Sequence, residues 1–363
     1  MTLAASSAGA LPFARKARSV MRRVPVWAWR LLMRSVSARE QARFNTDPIT
    51  AVAYTHDIDY VGDGLRSHRL DILAPLNPAP RSAGGGDVAG RGDVTGRLLP
   101  VYVYFHGGGW TSGDKAALTK YCANQVLGGM VVVNVNYRHA PRFHMGHVLE
   151  DANAAVAWVA ANIEGYGGDP GRLVLGGDSA GGQIAALLTA ASLRPELAAH
   201  YSLRPAVPAA HLKGLVQHCS AVDFSVFFEA GFVLSLNFVR MLLPAAAAAA
   251  DPEATAPSGG GSHGPSPTRT TSARLRVAAG FLSPIEWLDG SHPPVLVTTS
   301  ERDYFYQANL NFIDRLQQHG IPVDTLIYPW NSANTEHTWQ QDYRYPESQE
   351  VYRRLHAFVR DVA

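Results

Sequence analysis

The sequence contains little cysteine, no long apolar run and, over its first 39 residues, no acidic residue. The two cysteines of this 363-residue chain, Cys122 and Cys219, provide neither a disulfide framework nor the four thiolates of a structural zinc site. No stretch of 18 uninterrupted apolar residues occurs, so the sequence predicts no membrane-spanning helix. We therefore expect a globular protein that needs no metal and no cofactor.

The charge is unevenly distributed along the chain. Residues 1–39 carry seven arginines and one lysine, and subtracting these eight charges from the net +2 leaves the rest of the chain at −6. A net negative charge on the rest of the chain argues against nucleic-acid binding. Residues 1–40 have three interpretations: a chloroplast or mitochondrial transit peptide, a basic amphipathic helix in peripheral contact with a membrane, or a helix packed on the main domain. Without organelle targeting, the protein would be cytoplasmic.

The rest of the chain, residues 41–363, predicts one α/β domain with two insertions. Segments 77–97 and 244–275 are rich in Gly, Pro, Ala, Ser and Thr, a low-complexity composition that cannot bury a core. Elsewhere, strand and helix patterns alternate, which predicts a mostly parallel central sheet flanked by helices. Sites in such folds lie at the carboxyl ends of the strands.

The run GGDSAGGQ at residues 176–183 follows the strand pattern RLVLG and precedes the helix pattern QIAALLTAAS. A phosphate loop would need Lys and then Ser or Thr after the glycines, but Gln183 and Ile184 stand there. A serine between two glycines, at a sharp turn from strand to helix, is instead typical of a nucleophile elbow. Ser179 is therefore the candidate nucleophile, flanked by Gly177 and Gly181.

A serine nucleophile needs a base and an acid downstream in this kind of fold. Asp303 lies just beyond the strand pattern VLVTTS and is the preferred acid, with Glu301 as its competitor. His337 lies in the loop after the last predicted strand and is the candidate base. His319 and His356 are weaker candidates, because both lie in predicted helices.

The acyl-transfer intermediate carries an oxyanion, which must meet preorganised backbone donors. The run HGGGW at residues 106–110 follows the strand pattern VYVYF, and its glycines allow a close approach of the backbone. Gly108 and Gly109, together with the amide of Ala180, are the predicted donors, and Gly107 supports the loop.

Four motifs in order, HGGGW, NYRHAPR, GYGGDPGRLVLGGDSAGG and PPVLVTTSERD…EHTW, make residues 50–363 resemble the hormone-sensitive-lipase-like branch of the α/β-hydrolase carboxylesterases. The resemblance implies an α/β-hydrolase fold with a helical cap and a Ser179–Asp303–His337 triad. It also implies that His106 shapes the oxyanion loop, and it places Asp178 directly before the nucleophile. Two departures are Arg142, where the family usually has Glu, and a longer loop from 329 to 337.

The segment FSVFFEAGFVLSLNFVRMLLP at 224–244 has two interpretations, a core helix or part of a cap near residues 222–290. A cap would line an acyl pocket and exclude water. The aromatic side chains expected at that pocket are those of Trp110, Phe224, Phe228 and Trp339. Such walls predict esters of short to medium acyl chain.

Three functions fit these residues, and the first is the hydrolysis of small-molecule carboxylic esters through an acyl-enzyme. The second is an amidase of the aryl-formamidase type, because the same triad serves both substrates. The third is a non-catalytic small-molecule receptor on the same fold. Receptors of that kind lack the catalytic histidine, and the presence of His337 disfavours this interpretation.

Overall fold

The computed structural model describes residue 31 and residues 48–76, 97–234, 236–244 and 267–363. Nearly all of the basic segment 1–40 and most of both insertions lie outside these residues, so the three interpretations of the N-terminus stay predictions. None of the helices in the described part of the chain is long and apolar enough to cross a membrane.

Eight strands of the described residues form one sheet in the order β1-β2-β4-β3-β5-β6-β7-β8. The pairs β1–β2 and β2–β4 are antiparallel, and β4, β3, β5, β6, β7 and β8 pair in parallel. The predicted mostly parallel sheet is thus confirmed. The strands are β1 Val52–Asp59, β2 Arg69–Pro75, β3 Leu99–Phe105, β4 Val131–Val135, β5 Gly168–Asp178, β6 Leu212–His218, β7 Val295–Ser300 and β8 Val323–Tyr328.

Helices cover both faces of the sheet, which is why the inner strands are apolar on both sides. In β4, Val131 and Val133 face one buried cluster and Val132 faces the other. The α-helices are α1 Thr119–Val126, α2 Met145–Asn162, α3 Ala180–Leu193, α4 Pro195–His200, α5 Leu236–Leu242, α6 Pro267–Gly280, α7 Tyr306–Gln318 and α8 Pro346–Val362. Short 3-10 helices are Arg66–His68, Lys115–Leu118, Ile163–Tyr166, Ala209–His211, Phe224–Phe228, Pro284–Trp287 and Trp339–Gln341.

The segment at 224–244 is not one core helix. It begins with the 3-10 helix Phe224–Phe228 and continues, after a turn, into α5. The predicted insertion 244–275 also differs from the structure at its end, because helix α6 begins at Pro267 and Leu275 is buried in the core cluster. Packing of Leu275 against the core lowers the free energy of the helical state, and the composition of the segment does not reveal that packing.

Candidate active site

Ser179 lies on a sharp turn between β5 and α3. Its φ of 53° and ψ of −117° are sparsely populated by residues other than glycine, so the turn is held by its surroundings. A Cβ atom at Gly181 would lie 2.0 Å from the carbonyl oxygen of Phe105, and one at Gly177 would lie 2.4 Å from the same atom. The two glycines are therefore required by the close approach of β3, and the Ser179 side chain projects at the carboxyl edge of the sheet.

Ser179, His337 and Asp303 form a continuous chain of hydrogen bonds. Ser179 Oγ lies 3.0 Å from His337 Nε2, and His337 Nδ1 lies 2.7 Å from Asp303 Oδ1. Asp303 is buried and accepts two further bonds, from the backbone N–H of Phe305 and the hydroxyl of Thr299. This arrangement fixes the imidazole with Nδ1 protonated and leaves Nε2 free to accept the serine proton.

The competing acid and bases lie elsewhere. The Glu301 carboxylate accepts a hydrogen bond of 2.8 Å from the backbone N–H of Trp330. His319 caps the end of α7 and is exposed. His356 lies in α8, where a Cβ atom at Gly128 would be 2.4 Å from its ring. The structure therefore brings together the preferred residues and not their competitors.

The oxyanion loop follows β3 and turns at its glycines. Gly108 has a φ of +122° and Gly109 a φ of +60°, and a Cβ atom at Gly108 would lie 2.2 Å from the Ser112 carbonyl oxygen. The Gly108 carbonyl oxygen accepts bonds from Ser112 Oγ and the Thr111 N–H. The loop is thereby folded back on itself next to the amino end of α3, where Ala180 is the first residue.

Asp178 anchors the oxyanion loop to the nucleophile elbow. Its Oδ1 accepts bonds from the Tyr104 hydroxyl and from the Gly107 N–H at 2.9 Å, and its Oδ2 accepts from Gln341 Nε2 at 3.0 Å. Burial raises the pKa of Asp178, although the bonds from Tyr104 and Gly107 oppose that effect. Sequence reasoning missed Tyr104 and Gln341, because neither belongs to a motif.

His106 supports the same loop from the other side. Its Nδ1 lies 2.7 Å from the Gly107 carbonyl oxygen, its ring stacks on Tyr137 at 4.5 Å, and the Tyr137 hydroxyl donates to the His106 carbonyl oxygen at 2.6 Å. Burial lowers the pKa of His106, so the ring is neutral and donates through Nδ1–H.

Two aromatic residues next to the acid were also missed. The Tyr304 ring lies over the His337 ring with centroids 3.9 Å apart, and Phe305 lies 5.9 Å from the same ring. Phe305 also contacts Phe227 and Phe232 of the segment 224–244, at 6.1 and 5.8 Å. The signal was their position directly after Asp303, since residues that follow a strand end share its edge of the sheet.

Three of the four predicted pocket residues, Trp110, Phe224 and Phe228, lie together, and the fourth lies elsewhere. Trp110 is only 1% exposed and donates from Nε1 to Gln183 at 2.7 Å, so it lies in the first core cluster rather than at a mouth. Phe224 packs on it at 5.8 Å. Phe228 is half-buried, with the Arg276 guanidinium 4.3 Å above its ring.

Trp339 was wrongly predicted as a pocket residue. It packs edge-on against Tyr328 in the second core cluster, which contains α1 and α8 residues and not the other predicted pocket aromatics. The reason is local, because Thr338 has a φ of +62° and turns the chain between the base and the indole.

One cysteine lies beside the triad. The Cys219 sulfur and ligand atoms of Asp303 and His337 all lie within 4.8 Å of one another. Burial raises the pKa of the Cys219 thiol well above its usual range, so the thiol stays protonated and does not compete for the imidazole as a thiolate.

Comparison with known proteins identifies the family and the fold. A family model described as alpha/beta hydrolase fold matches residues 102–340. The carboxylesterase NlhH of Mycobacterium tuberculosis is 42% identical over 91 residues, 25% of this chain and 28% of that protein. Arylacetamide deacetylase of Bos taurus is 41% identical over 90 residues, 23% of this chain and 22% of that protein. The matches thus span less than a third of these relatives.

Solved structures match the fold over nearly the whole length of the chain. Esterase B from Lactobacillus rhamnosis has a TM-score of 0.70 at 18% identity, covering 95% of this chain and 97% of that one. An esterase from Pyrobaculum calidifontis has a TM-score of 0.60 at 21% identity, covering 97% of this chain and 99% of that one. At these identities, the likeness concerns the fold.

Proposed function

Because this chain belongs to the α/β-hydrolase fold family, we propose that it is a serine hydrolase that cleaves carboxylic esters through an acyl-enzyme intermediate. The observation that carries the proposal is the hydrogen-bond chain from Ser179 through His337 to Asp303, with bonds of 3.0 and 2.7 Å. A nucleophile, a base and an orienting acid in that order are what acyl transfer requires.

In the first half-reaction, Ser179 Oγ bonds to the acyl carbon while its proton passes to His337 Nε2. The negative charge that develops on the carbonyl oxygen meets the amides of Gly108, Gly109 and Ala180, which we assign as the oxyanion donors. Collapse of the intermediate breaks the bond to the alcohol oxygen, and that oxygen leaves with the proton from Nε2. A water molecule then attacks the acyl-enzyme by the same steps, which frees Ser179 and releases the carboxylic acid product.

The aromatic residues near the site favour an acyl chain of limited length. Phe227, Phe232 and Phe305 form a connected set of ring contacts between 5.0 and 6.1 Å that reaches His337. Each buried methylene contributes about 0.8 kcal/mol until the apolar wall ends, so affinity should rise over the first carbons and then stop. We propose small-molecule esters with acyl chains of roughly four to eight carbons.

The test combines covalent labelling with a substrate series. A fluorophosphonate probe should label the wild-type protein and not Ser179→Ala, and kcat/KM for p-nitrophenyl esters from acetate to palmitate should peak in the middle of the series. Labelling that persists in Ser179→Ala would refute the assignment of the nucleophile. A maximum at palmitate would indicate a lipase, and turnover of N-formylkynurenine without turnover of any ester would indicate the amidase.

A further inference from the structure

Tyr304 differs from the other aromatic residues at the site because its side chain meets both members of the proton-transfer pair. Its ring lies 3.9 Å from that of His337, tilted by 34°, and its hydroxyl interacts with the side chain of Ser179. The neighbouring Phe305 ring, 4.9 Å away, is buried, whereas Tyr304 remains 37% exposed. Tyr304 therefore combines contact with both members of this pair with a side chain that is partly exposed.

The chemistry of the leaving group determines which part of an ester meets this surface. His337 Nε2, which lies 3.0 Å from Ser179 Oγ, must deliver its proton to the alcohol oxygen. The alcohol oxygen thus comes within hydrogen-bond distance of Nε2, and the group attached to it extends past the imidazole. Nδ1 is held by Asp303, so that side of the ring is closed. The alcohol group then lies beside the side chain that covers the imidazole, which is Tyr304.

Resting on the proposed ester hydrolysis, we infer that Tyr304 binds the alcohol portion of the substrate and makes the site favour esters of aromatic alcohols. An aromatic alcohol group gains offset or edge-to-face contact with the Tyr304 ring, which a saturated ring of the same size does not. The Tyr304 ring is already held between His337 and Phe305, so little conformational freedom is lost on binding.

The matched substrates are benzyl acetate and cyclohexylmethyl acetate, which share the acyl group and have alcohol groups of similar size. Each kcat/KM is divided by the rate constant for hydroxide hydrolysis of the same ester, which removes the difference in intrinsic reactivity. The wild-type ratio should favour the benzyl ester by about 2-fold to 12-fold, the range expected of one aromatic pair. A ratio of one or less would overturn the inference without any variant.

Two variants of Tyr304 separate its ring from its hydroxyl group. Tyr304→Phe keeps the ring and should keep the ratio, whereas Tyr304→Leu should bring the ratio to about one. A ratio unchanged in Tyr304→Leu overturns the inference. Because both esters are measured on each variant, a general loss of activity from a displaced His337 cancels.

Trp330→Leu is the control for the loss of an exposed aromatic residue. Trp330 lies on the loop that carries His337 and is 66% exposed, with the Arg302 guanidinium 6.0 Å from its ring. This variant should keep the wild-type ratio, and loss of the ratio here would place the aromatic contact at Trp330 instead. Fluorophosphonate labelling with equal turnover of both esters defeats this inference alone, whereas absence of both labelling and turnover defeats the proposed function as well.

Discussion

Replacing Asp178 by alanine and by asparagine tests how the oxyanion loop is held. Two of its three bonds, from Tyr104 and Gly107, end on the same oxygen, Oδ1, and only Gln341 binds Oδ2. An asparagine that keeps an oxygen at the Oδ1 position retains both of those acceptor contacts. The Gln341 amide can then turn, so that its oxygen accepts from the new NH2 group.

The two substitutions should therefore differ widely in cost. Asp178→Ala leaves three buried donors unpaired, those of Tyr104, Gly107 and Gln341, at about 1–3 kcal/mol each, a loss of about 3–9 kcal/mol in the free energy of unfolding. Asp178→Asn weakens charge-assisted bonds to neutral ones but also removes the cost of burying a charge, the effect that raises the pKa of Asp178. We expect that variant to remain within about 2 kcal/mol of the wild type.

The activity should follow the same division. Without Asp178, Gly107 loses its anchor, and the two glycines after it move away from the oxyanion, so kcat should fall by about 10²–10³, as for the loss of one oxyanion donor. Asp178→Asn should stay within about 10-fold of the wild-type kcat. The assay is kcat and KM for p-nitrophenyl butyrate, together with urea unfolding of each variant.

Tyr104→Phe is the matched control, because it removes a donor to Asp178 while the bond from Gly107 remains. It should lower the free energy of unfolding by about 1.5–3 kcal/mol and leave kcat near that of the wild type. If Asp178→Asn lost as much kcat as Asp178→Ala, the charge and not the acceptor geometry would hold the loop. A wild-type kcat in Asp178→Ala would show that Asp178 does not hold the oxyanion loop.

Three further predictions follow from the same contacts. Ser179→Ala and His337→Ala should each lower kcat by roughly 10⁴–10⁶, and the double variant should cost little more than either; additive losses in a kinetic cycle would show that His337 is not the base. Asp303→Asn should lower kcat by about 10⁴ because the imidazole adopts the wrong tautomer. Glu301→Gln should retain most activity, because the Glu301 carboxylate only accepts from a backbone N–H. Equal losses in the two variants would contradict the assignment of the acid. Burial lowers the pKa of His218 from 6.5 to about 3, so the unfolded state binds a proton first as the pH falls below about 6.5, and the folded state loses stability. Urea unfolding should show a loss of about 2 kcal/mol from this group between pH 7.5 and 5. An equally steep decline in a His218→Asn variant would refute this prediction.

Short-range signals in the sequence account for the elbow, the strands and the family. The Gly177–Ser179–Gly181 spacing identifies the turn, because a backbone crowded by the end of β3 admits no Cβ atom at either glycine. The valine run of β4 identifies a strand buried on both faces. These are consequences of local sterics and patterning, which a few neighbouring residues determine. The order of the strands along the chain also places Asp303 and His337 at the correct edge.

Only the tertiary structure determines which side chains complete the site. Gln341 reaches Asp178 from 163 residues away, and Tyr104 reaches it from 74. Trp110 and Trp339 look alike in sequence, each one or two residues from a catalytic motif, yet one packs in the cluster beneath the cap region and the other in the opposite cluster. The positive φ of Thr338 and the packing of Tyr328 decide this. Such choices depend on which surfaces the folded sheet brings together, because contacts between distant residues form only when strand order and register bring their side chains within a few ångströms.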